Sequence, residues 1–259
     1  MNKLWICGCR GSIFINDKNF SKYGYNTSCY LNIFDDKAIL VDCGSGVSNA
    51  INELKKYKEI NLLITHLHFD HIVGIVTLVT LCKDSHINIY GKDIKDGLCK
   101  FMGKPYWPIS VGELKNVSFF DIGDEFNIGS VNIKTMESNH PGGCTLYRLS
   151  YDNKSIVFAF DFNHNNGYDS LLKEFSKNAN ILLYDGNLKD DEYLLHPTWG
   201  HSTVNMGVKI ANEANVNKLI ITHHNYLYDD FELEKQEKNL KNSVNKDYSF
   251  AKEHDVIEY

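Results

Sequence analysis

Four side chains of metal-ligand type fall within six residues, in the segment 66–71 that follows the apolar stretch 61–64. Behind an extended strand, residues two positions apart point the same way, so His66 and His68 would face one point in space. The backbone then turns, which would aim Asp70 and His71 at a neighbouring point. Imidazole and carboxylate groups at this spacing predict two adjacent metal ions, with a histidine-rich surface turn as the alternative.

Three later residues are further ligand candidates, because each follows a predicted strand. They are His140 after 131–136, Asp161 after 156–160 and His223 after 219–222. Sites in α/β proteins assemble at strand ends, although a single histidine or aspartate there is more often a cap or turn residue. With the first run they complete two ligand shells, whose nitrogen and oxygen donors suit zinc or manganese better than calcium. The predicted shells are His66, His68 and His140 for one ion, Asp70, His71 and His223 for the other, and Asp161 bridging both.

Hydrophobic periodicity predicts the elements that must position these residues. Asp70 also begins a helical pattern over 72–79, so capping alone could explain this aspartate but not the three histidines beside it. Sheet and helix alternate in two halves, which predicts a layered α/β fold. Strands are predicted at 3–9, 28–34, 38–42, 61–65, 86–90, 117–120, 131–136, 145–151, 155–160, 180–185 and 218–222, and helices at 47–57, 72–79, 168–177, 203–213 and along a polar tail at 230–254.

Length and composition limit the kind of protein. A chain of 259 residues is long enough for one large domain, and we expect residues 1–259 to form it. Hydrophobic residues are 43% and charged residues 23% of the chain, and no apolar run approaches the ~20 residues of a membrane helix. The first apolar stretch is too short for a secretory signal. A cytoplasmic protein without a membrane span is therefore expected.

The cysteines and the net charge argue against two further classes. Seven cysteines, an odd number without a repeating spacing, indicate free thiols in a reducing compartment rather than a disulfide framework. Cys7 and Cys9 are one residue apart, which alternation in a first strand explains better than a thiolate metal pair. The net charge of −6, with Arg10 and Arg148 as the only arginines, argues against long nucleic acid as the substrate. A small anion held by metal ions remains compatible.

The run His-x-His-x-Asp-His at 66–71 resembles the signature of the metallo-β-lactamase superfamily. Other motifs along the chain resemble one branch of it, which contains tRNase Z and small cyclic nucleotide phosphodiesterases, including the anti-Pycsar phosphodiesterases. The resemblance implies an αββα sandwich of two mixed sheets flanked by helices, two divalent metal ions per chain, and a homodimer. The motifs that carry it are Cys9–Ser12, Tyr23–Cys29, Val41–Gly44, Asn139–Gly143, Trp199–Thr203 and Thr222–His224.

The same resemblance implies the catalytic residues. His201 falls on the motif histidine that protonates the leaving oxygen, and Asp185 maps to its acidic partner, with Asp70 a further catalytic candidate. An aspartate replaces the glutamate common in tRNase Z, so contact with the histidine could be direct or pass through a water. The alternative is that Ser202 or Thr203 caps the next helix and His201 is a turn residue.

Two more residues are expected just behind the ligands. Asp42 ends a strand and is interpreted as a carboxylate that orients a metal-binding histidine, with a turn-forming aspartate as the alternative. His224 is expected as a neighbour of the ligand set. Composition alone does not decide which of His223 and His224 binds metal, and the resemblance favours His223.

Candidate substrate contacts come from two aromatic segments and one arginine. Tyr25 and Asn26 lie in the first segment, and Tyr106 and Trp107 lie in a loop or lid at 97–112; the aromatic rings could stack on a base. The alternative is packing on the sheet or across a dimer interface. Arg148 could approach the phosphate or form a structural ion pair.

These residues predict a di-metal phosphodiesterase. Two divalent ions would lower the pKa of a water held between them for in-line attack on phosphorus, while His201 protonates the departing O3′. A 3′,5′-cyclic nucleotide would give the 5′-monophosphate, and such an enzyme could degrade an immune signal, in the host cytoplasm if a phage encodes it. The alternatives are a tRNA 3′-end endonuclease, a lactamase or thioesterase of the same fold, and a protein that only binds nucleotides.

Overall fold

The computed structural model describes residues 2–164, 167–244 and 246–259. Within these ranges, two mixed β-sheets of seven strands each pack face to face, with helices on their outer sides. The predicted αββα sandwich is confirmed. No helix in the described part of the chain combines the length and the apolar character needed to cross a membrane.

The elements alternate along the chain. The strands are β1 (Lys3–Gly8), β2 (Cys29–Phe34), β3 (Lys37–Val41), β4 (Glu59–Leu63), β5 (His86–Tyr90), β6 (Val117–Phe120), β7 (Glu125–Ile128), β8 (Val131–Glu137), β9 (Thr145–Tyr151), β10 (Lys154–Ala159), β11 (Ile181–Asp185), β12 (Lys218–Thr222), β13 (Tyr248–Phe250) and β14 (Val256–Glu258). The helices are α1 (Val47–Leu54), α2 (Phe69–Ile72), α3 (Ile75–Leu81), α4 (Lys95–Phe101), α5 (Tyr168–Phe175), α6 (Asp190–Leu195), α7 (Val204–Glu213) and α8 (Asp230–Ser243), with short 3-10 turns at Lys18–Phe20 and Val111–Glu113.

The two sheets have matching topology. The first runs β14-β1-β2-β3-β4-β5-β6, antiparallel as far as β3 and parallel beyond it. The second runs β13-β12-β11-β10-β9-β8-β7, parallel as far as β10 and antiparallel beyond it. Since parallel neighbours end at the same edge, β3, β4, β10, β11 and β12 deliver the residues that follow them to one end of the sandwich.

Three apolar layers hold the sandwich together. The central layer lies between the sheets and includes Leu4, Tyr30 and Phe158, all fully buried. The helices cover the outer faces: α1, for example, buries Val47, Ala50, Ile51 and Leu54 at helical spacing against the first sheet. Sequence periodicity of this kind is what allowed the layers to be predicted.

Two predicted elements are wrong in detail. The helical pattern at 72–79 is divided between α2 and α3, because the N–H of Gly74 donates to the carbonyl oxygen of Cys43 over 2.8 Å instead of continuing the helix. The tail at 230–254 is helical only as far as Ser243. Tyr248 and Phe250 then form an edge strand whose alternating side chains are buried in the second sheet's outer core. Residue 245 of this tail lies outside the described residues.

Candidate metal centre

Three histidines form a first triad at the end of the sandwich. His140 Nε2 lies 3.1 Å from His68 Nδ1, and the ring centroid of His66 lies 4.4 Å from that of His68 and 4.9 Å from that of His140. His140 donates its Nδ1–H to the carbonyl oxygen of Gly200 over 2.9 Å, which leaves Nε2 unprotonated. Burial lowers the pKa of each of these three histidines. Burial therefore favours the neutral form of all three imidazoles, which is the form that binds metal.

A second triad lies beside the first. The atoms Asp70 Oδ2, His71 Nε2 and His223 Nε2 are 3.2–3.3 Å apart in every pairing. All three residues are buried. The group has the composition of a site for one divalent ion.

Asp161 lies between the two triads and turns one oxygen toward each. Its Oδ1 is 3.8 Å from His140 Nε2, while its Oδ2 is 3.0 Å from His71 Nε2 and 3.3 Å from His223 Nε2. This is the position expected of a carboxylate that bridges two ions.

The ligand set fits a pair of small divalent ions. Ligands about 2.0–2.1 Å from a tetrahedral ion lie about 3.3 Å from one another. The separations within the second triad, and the 3.1 Å between His140 Nε2 and His68 Nδ1 in the first, are close to this value. His66 Nε2 and Asp161 Oδ2 are buried and have no hydrogen-bond partner among the described residues. A buried polar atom without a partner is energetically unfavourable, and a metal ion bound at each triad would give these atoms a partner. The chemistry suits zinc or manganese.

Backbone conformation at the strand ends turns these side chains inward. Asp42, Asp161 and His223 directly or closely follow β3, β10 and β12, and each has a positive φ, at 58°, 54° and 57°. This region is unfavourable for residues with a Cβ, and such strain concentrates at functional sites.

Asp42 orients one histidine from each triad. Its Oδ2 accepts the Nδ1–H of His71 over 2.6 Å, which fixes His71 Nε2 toward the second triad. Thr65 donates its hydroxyl to the same carboxylate at 2.9–3.0 Å, so Thr65 Oγ1 must accept from His66 Nδ1 over 3.0 Å. That leaves His66 Nε2 as the free nitrogen. Asp42 thus makes the orienting contact expected of it, and Thr65, which no motif in the sequence marks, takes part in it.

The loop after β1 and a residue after β11 hold the second triad. The backbone N–H of Ser12 donates to Asp70 Oδ2 over 2.7 Å. Asn187 Nδ2 donates to the carbonyl oxygen of His223 over 3.0 Å. A Cβ on Gly11 would lie 2.6 Å from His223 Cε1, so this loop approaches as closely as a glycine permits. Sequence reasoning missed these contacts because two of them use backbone atoms.

His201 and Asp185 are in direct contact. His201 donates its Nδ1–H to Asp185 Oδ2 over 3.0 Å, so no water lies between them. Asp185 is fully buried and also accepts the backbone N–H groups of Asp161 and Asn187, over 3.0 Å and 2.8 Å. Burial by itself lowers the pKa of His201, but the charge of Asp185 outweighs it and raises that pKa to about 9.

The His201 ring lies next to both triads. Its centroid is 5.7 Å from that of His140 and 5.2 Å from that of His223. Thr203 does cap α7, since its hydroxyl accepts the N–H of Met206 over 3.4 Å, as the capping alternative supposed. Capping explains Thr203 but not the ion pair of His201.

Some predicted residues are not brought to the centre. The Arg148 guanidinium donates to the carbonyl oxygens of Phe175 and Lys177 and to Ser155 Oγ, so the expected phosphate contact is wrong and its role is structural. Asn26 is held by Glu253 through both its backbone N–H and its side chain, and its contact with a substrate stays a prediction.

His224 is a direct neighbour of His223 in the chain, but its ring faces elsewhere. Its Nε2 donates to the carbonyl oxygen of Ala251 over 2.9 Å, and the ring packs edge-on against Tyr23 and Phe250. Burial lowers the pKa of His224 to about 3. It therefore supports the outer core, and of the two adjacent histidines His223 faces the triads.

The remaining aromatic candidates lie on the surface. Tyr25 is partly exposed, and Tyr106 is 79% and Trp107 36% exposed between α4 and the 3-10 turn. Part of the segment predicted as a loop is helix α4, whose last residue, Phe101, packs edge-on against Phe69 beside the metal ligands. The segment 97–112 therefore begins close to the metal ligands.

Comparison with known proteins identifies the family. The family described as Beta-lactamase superfamily domain matches residues 37–224. The chain belongs to this superfamily. A protein named Probable metallo-hydrolase YhfI from Bacillus subtilis (strain 168) is 26% identical over 230 residues, covering 85% of this chain and 86% of that protein. Ribonuclease Z from Oceanobacillus iheyensis is 24% identical over 237 residues, covering 71% and 78%.

Solved structures agree with this membership of the beta-lactamase superfamily. The crystal structure of YhfI, a metallo-beta-lactamase fold protein from Bacillus subtilis, matches with a TM-score of 0.80 at 22% identity over 100% of this chain and 99% of that one. A diphosphatase of the PhnP family matches with a TM-score of 0.74 at 16% identity, over 100% and 97%. The chain therefore has the fold of these proteins, and its histidine and aspartate side chains form a candidate site for divalent metal ions.

Two glycines provide a matched test of the triads. Gly200 has φ +83°, and a Cβ there would lie 2.2 Å from His140 Nδ1, whereas a Cβ on Gly11 would meet His223. We expect Gly200→Ala to weaken binding of the first ion and Gly11→Ala that of the second, each by about 10–100-fold. Competition with a chromophoric chelator measures both affinities. Gly123→Ala, where a Cβ meets open space, is the control, and equal loss at both sites in both variants would contradict the assignment.

Proposed function

We propose that the chain is a phosphodiesterase that hydrolyses 3′,5′-cyclic nucleotides to 5′-monophosphates with the help of two divalent metal ions. The observation that carries this proposal is His201, held by Asp185 at 3.0 Å and adjacent to both triads. A sugar oxygen is a poor leaving group and needs a proton as its bond to phosphorus breaks. A thioester releases a thiolate, which is stable without one.

The residues of this chain would divide the reaction among them. Metal ions held at the two triads supply Lewis-acid polarisation of the phosphoryl oxygens and a lowered pKa for water. Asp42 and Thr65 hold His71 and His66 in their ligand tautomers. His201, oriented through Nδ1, presents Nε2 as the proton donor for O3′.

A cavity beside the first triad is of a size for a small substrate. Its volume is about 380 Å³, and its lining includes Thr65, His66, Lys92, Glu137 and Gly142. Small-molecule sites span about 300–1,000 Å³, so the cavity is large enough for a nucleoside. Lys92 and Glu137 form an ion pair in this lining. Zinc as the ion, a homodimer and the degradation of an immune signal stay predictions.

The second candidate is maturation of tRNA 3′ ends. Ribonuclease Z proteins from several organisms are among the relatives, at 22–25% identity. The net charge of −6 is the counterargument, because a protein that grips tRNA needs cationic groups to neutralise several phosphates.

A comparison of cyclic nucleotides and precursor tRNA as substrates tests the proposal. Zinc- or manganese-loaded protein is incubated with cyclic mononucleotides, cyclic dinucleotides and a precursor tRNA, and products are identified by chromatography and ³¹P NMR. We expect 5′-monophosphate from at least one 3′,5′-cyclic mononucleotide and no tRNA cleavage at equal enzyme concentration. Efficient tRNA cleavage without cyclic nucleotide turnover would replace the proposal by the second candidate.

A further inference from the structure

A buried chain of hydrogen bonds lies beneath the loop that carries His201. Asp169 Oδ1 is 3.2 Å from His164 Nδ1, and His164 Nε2 is 2.5 Å from Ser202 Oγ. The hydroxyl of Tyr184 lies 2.8 Å from the same Ser202 Oγ. Ser202 and Tyr184 are fully buried, and His164 is 5% exposed.

The Asp169 carboxylate determines how His164 is protonated. The Asp169 carboxylate can only accept, so His164 carries its proton on Nδ1 and its Nε2 is an acceptor. At 2.5 Å, Ser202 Oγ–H is the nearest donor to His164 Nε2, while the Tyr184 hydroxyl lies 3.5 Å from that nitrogen and 2.8 Å from Ser202 Oγ. Together these contacts hold the Ser202 side chain in place.

The composition is that of a serine hydrolase triad, but the geometry excludes a nucleophile. Ser202 Oγ has no exposure to solvent, whereas a nucleophilic serine must reach its substrate. The role of these hydrogen bonds must therefore be to hold Ser202 and the residues next to it in place.

Ser202 is adjacent to the residues that orient His201 and His140. Its own N–H donates to Asp185 Oδ1 over 3.3 Å, on the carboxylate that holds the preceding residue, His201. One residue earlier, Gly200 provides the carbonyl oxygen that orients His140. A rotation of the loop at Ser202 would therefore displace the proton donor and the support of a metal ligand together.

We propose that Asp169, His164 and Ser202 are positioning residues, which hold His201 in the orientation that protonates the leaving oxygen. The inference rests on the proposed phosphodiesterase function and adds three residues to the set that supports it. The three residues touch neither the substrate nor the ions. They fix the backbone between Gly200 and Thr203, on which that proton donor stands.

Leaving-group dependence separates positioning from simple support of the fold. Nitrophenolate leaves without a proton, whereas a sugar oxygen requires one, so a misplaced His201 slows only the second reaction. We expect Ser202→Ala and His164→Ala to reduce kcat for a 3′,5′-cyclic nucleotide about 10-fold, with less than about threefold loss on bis(p-nitrophenyl) phosphate. Tyr248→Phe is the matched control, since it removes the hydroxyl of a buried tyrosine that donates to Asn212 Oδ1, outside this network. In this control, the ratio of kcat for the cyclic nucleotide to kcat for bis(p-nitrophenyl) phosphate should equal that of the unmodified protein.

A second readout needs no turnover. The Nδ1–H proton of His201, assigned by its loss in His201→Ala, should give a downfield ¹H NMR signal that persists in Tyr248→Phe and broadens or disappears in Ser202→Ala. Asp169→Ala, at a partly exposed side chain, serves where a buried variant does not fold. Equal loss on both substrates, or an unchanged signal in Ser202→Ala, would overturn the inference. If the unmodified protein turns over no phosphodiester, the proposed function fails and the NMR result alone decides the positioning role.

Discussion

Replacement of Asp161 by asparagine is expected to leave the protein with fewer than two tightly bound metal ions and to reduce phosphodiester turnover about 10³-fold or more. Asp161 Oδ2 lies 3.0 Å from His71 Nε2, and Oδ1 faces His140 of the other triad. An asparagine keeps the shape but removes the negative charge that would link two cations. Metal content after dialysis and initial rates measure the effect.

The control for this variant is Asp36→Asn, at an exposed aspartate in the turn between β2 and β3. It should keep the metal content and the rate of the unmodified protein. Circular dichroism establishes that both variants fold. Two tightly bound ions and an unchanged rate in Asp161→Asn would show that this carboxylate does not bridge the triads.

Replacement of His201 by alanine is expected to lower kcat for a cyclic nucleotide about 10²-fold or more, with both metal ions retained. The physical reason is loss of the proton donor that Asp185 holds at 3.0 Å, beside but outside the two triads. With bis(p-nitrophenyl) phosphate the loss should be much smaller, because nitrophenolate departs unprotonated. Steady-state kinetics on both substrates, together with metal analysis, give the comparison.

The matched control is His86→Ala, an exposed histidine at the start of β5 that bonds Ser118. Its rates on both substrates should equal those of the unmodified protein. Loss of a metal ion from His201→Ala would make His201 a ligand. An equal loss of rate on both substrates would remove its role as proton donor.

The ligands could be predicted from the sequence because their spacing is local. The run at 66–71 brings four donors together through the geometry of a strand followed by a turn, whatever the rest of the chain does. Asp161 and His223 could be predicted because parallel strands end at a common edge. In the structure, His223 Nε2 lies 3.3 Å from Asp161 Oδ2, although β11 separates the two strands that these residues follow.

The contacts that support the ligands could not be predicted in the same way. The Ser12 N–H on Asp70 and the Gly200 carbonyl oxygen on His140 use backbone atoms, which every residue has. The structural role of Arg148 could not be predicted, because a strand residue can face either side of its sheet and neighbours distant in sequence decide which. Strands of three residues, such as β13 and β14, likewise depend on their partners rather than on their own periodicity.

Titration of metal-free protein with zinc, and in parallel with manganese, tests the central claim most directly. Hydrolysis of bis(p-nitrophenyl) phosphate is followed as each equivalent is added. Two cooperating triads predict that the rate rises with the second equivalent and reaches a plateau at about two ions per chain. A full rate at one equivalent, or no phosphodiester turnover with two ions bound, would contradict a di-metal phosphodiesterase.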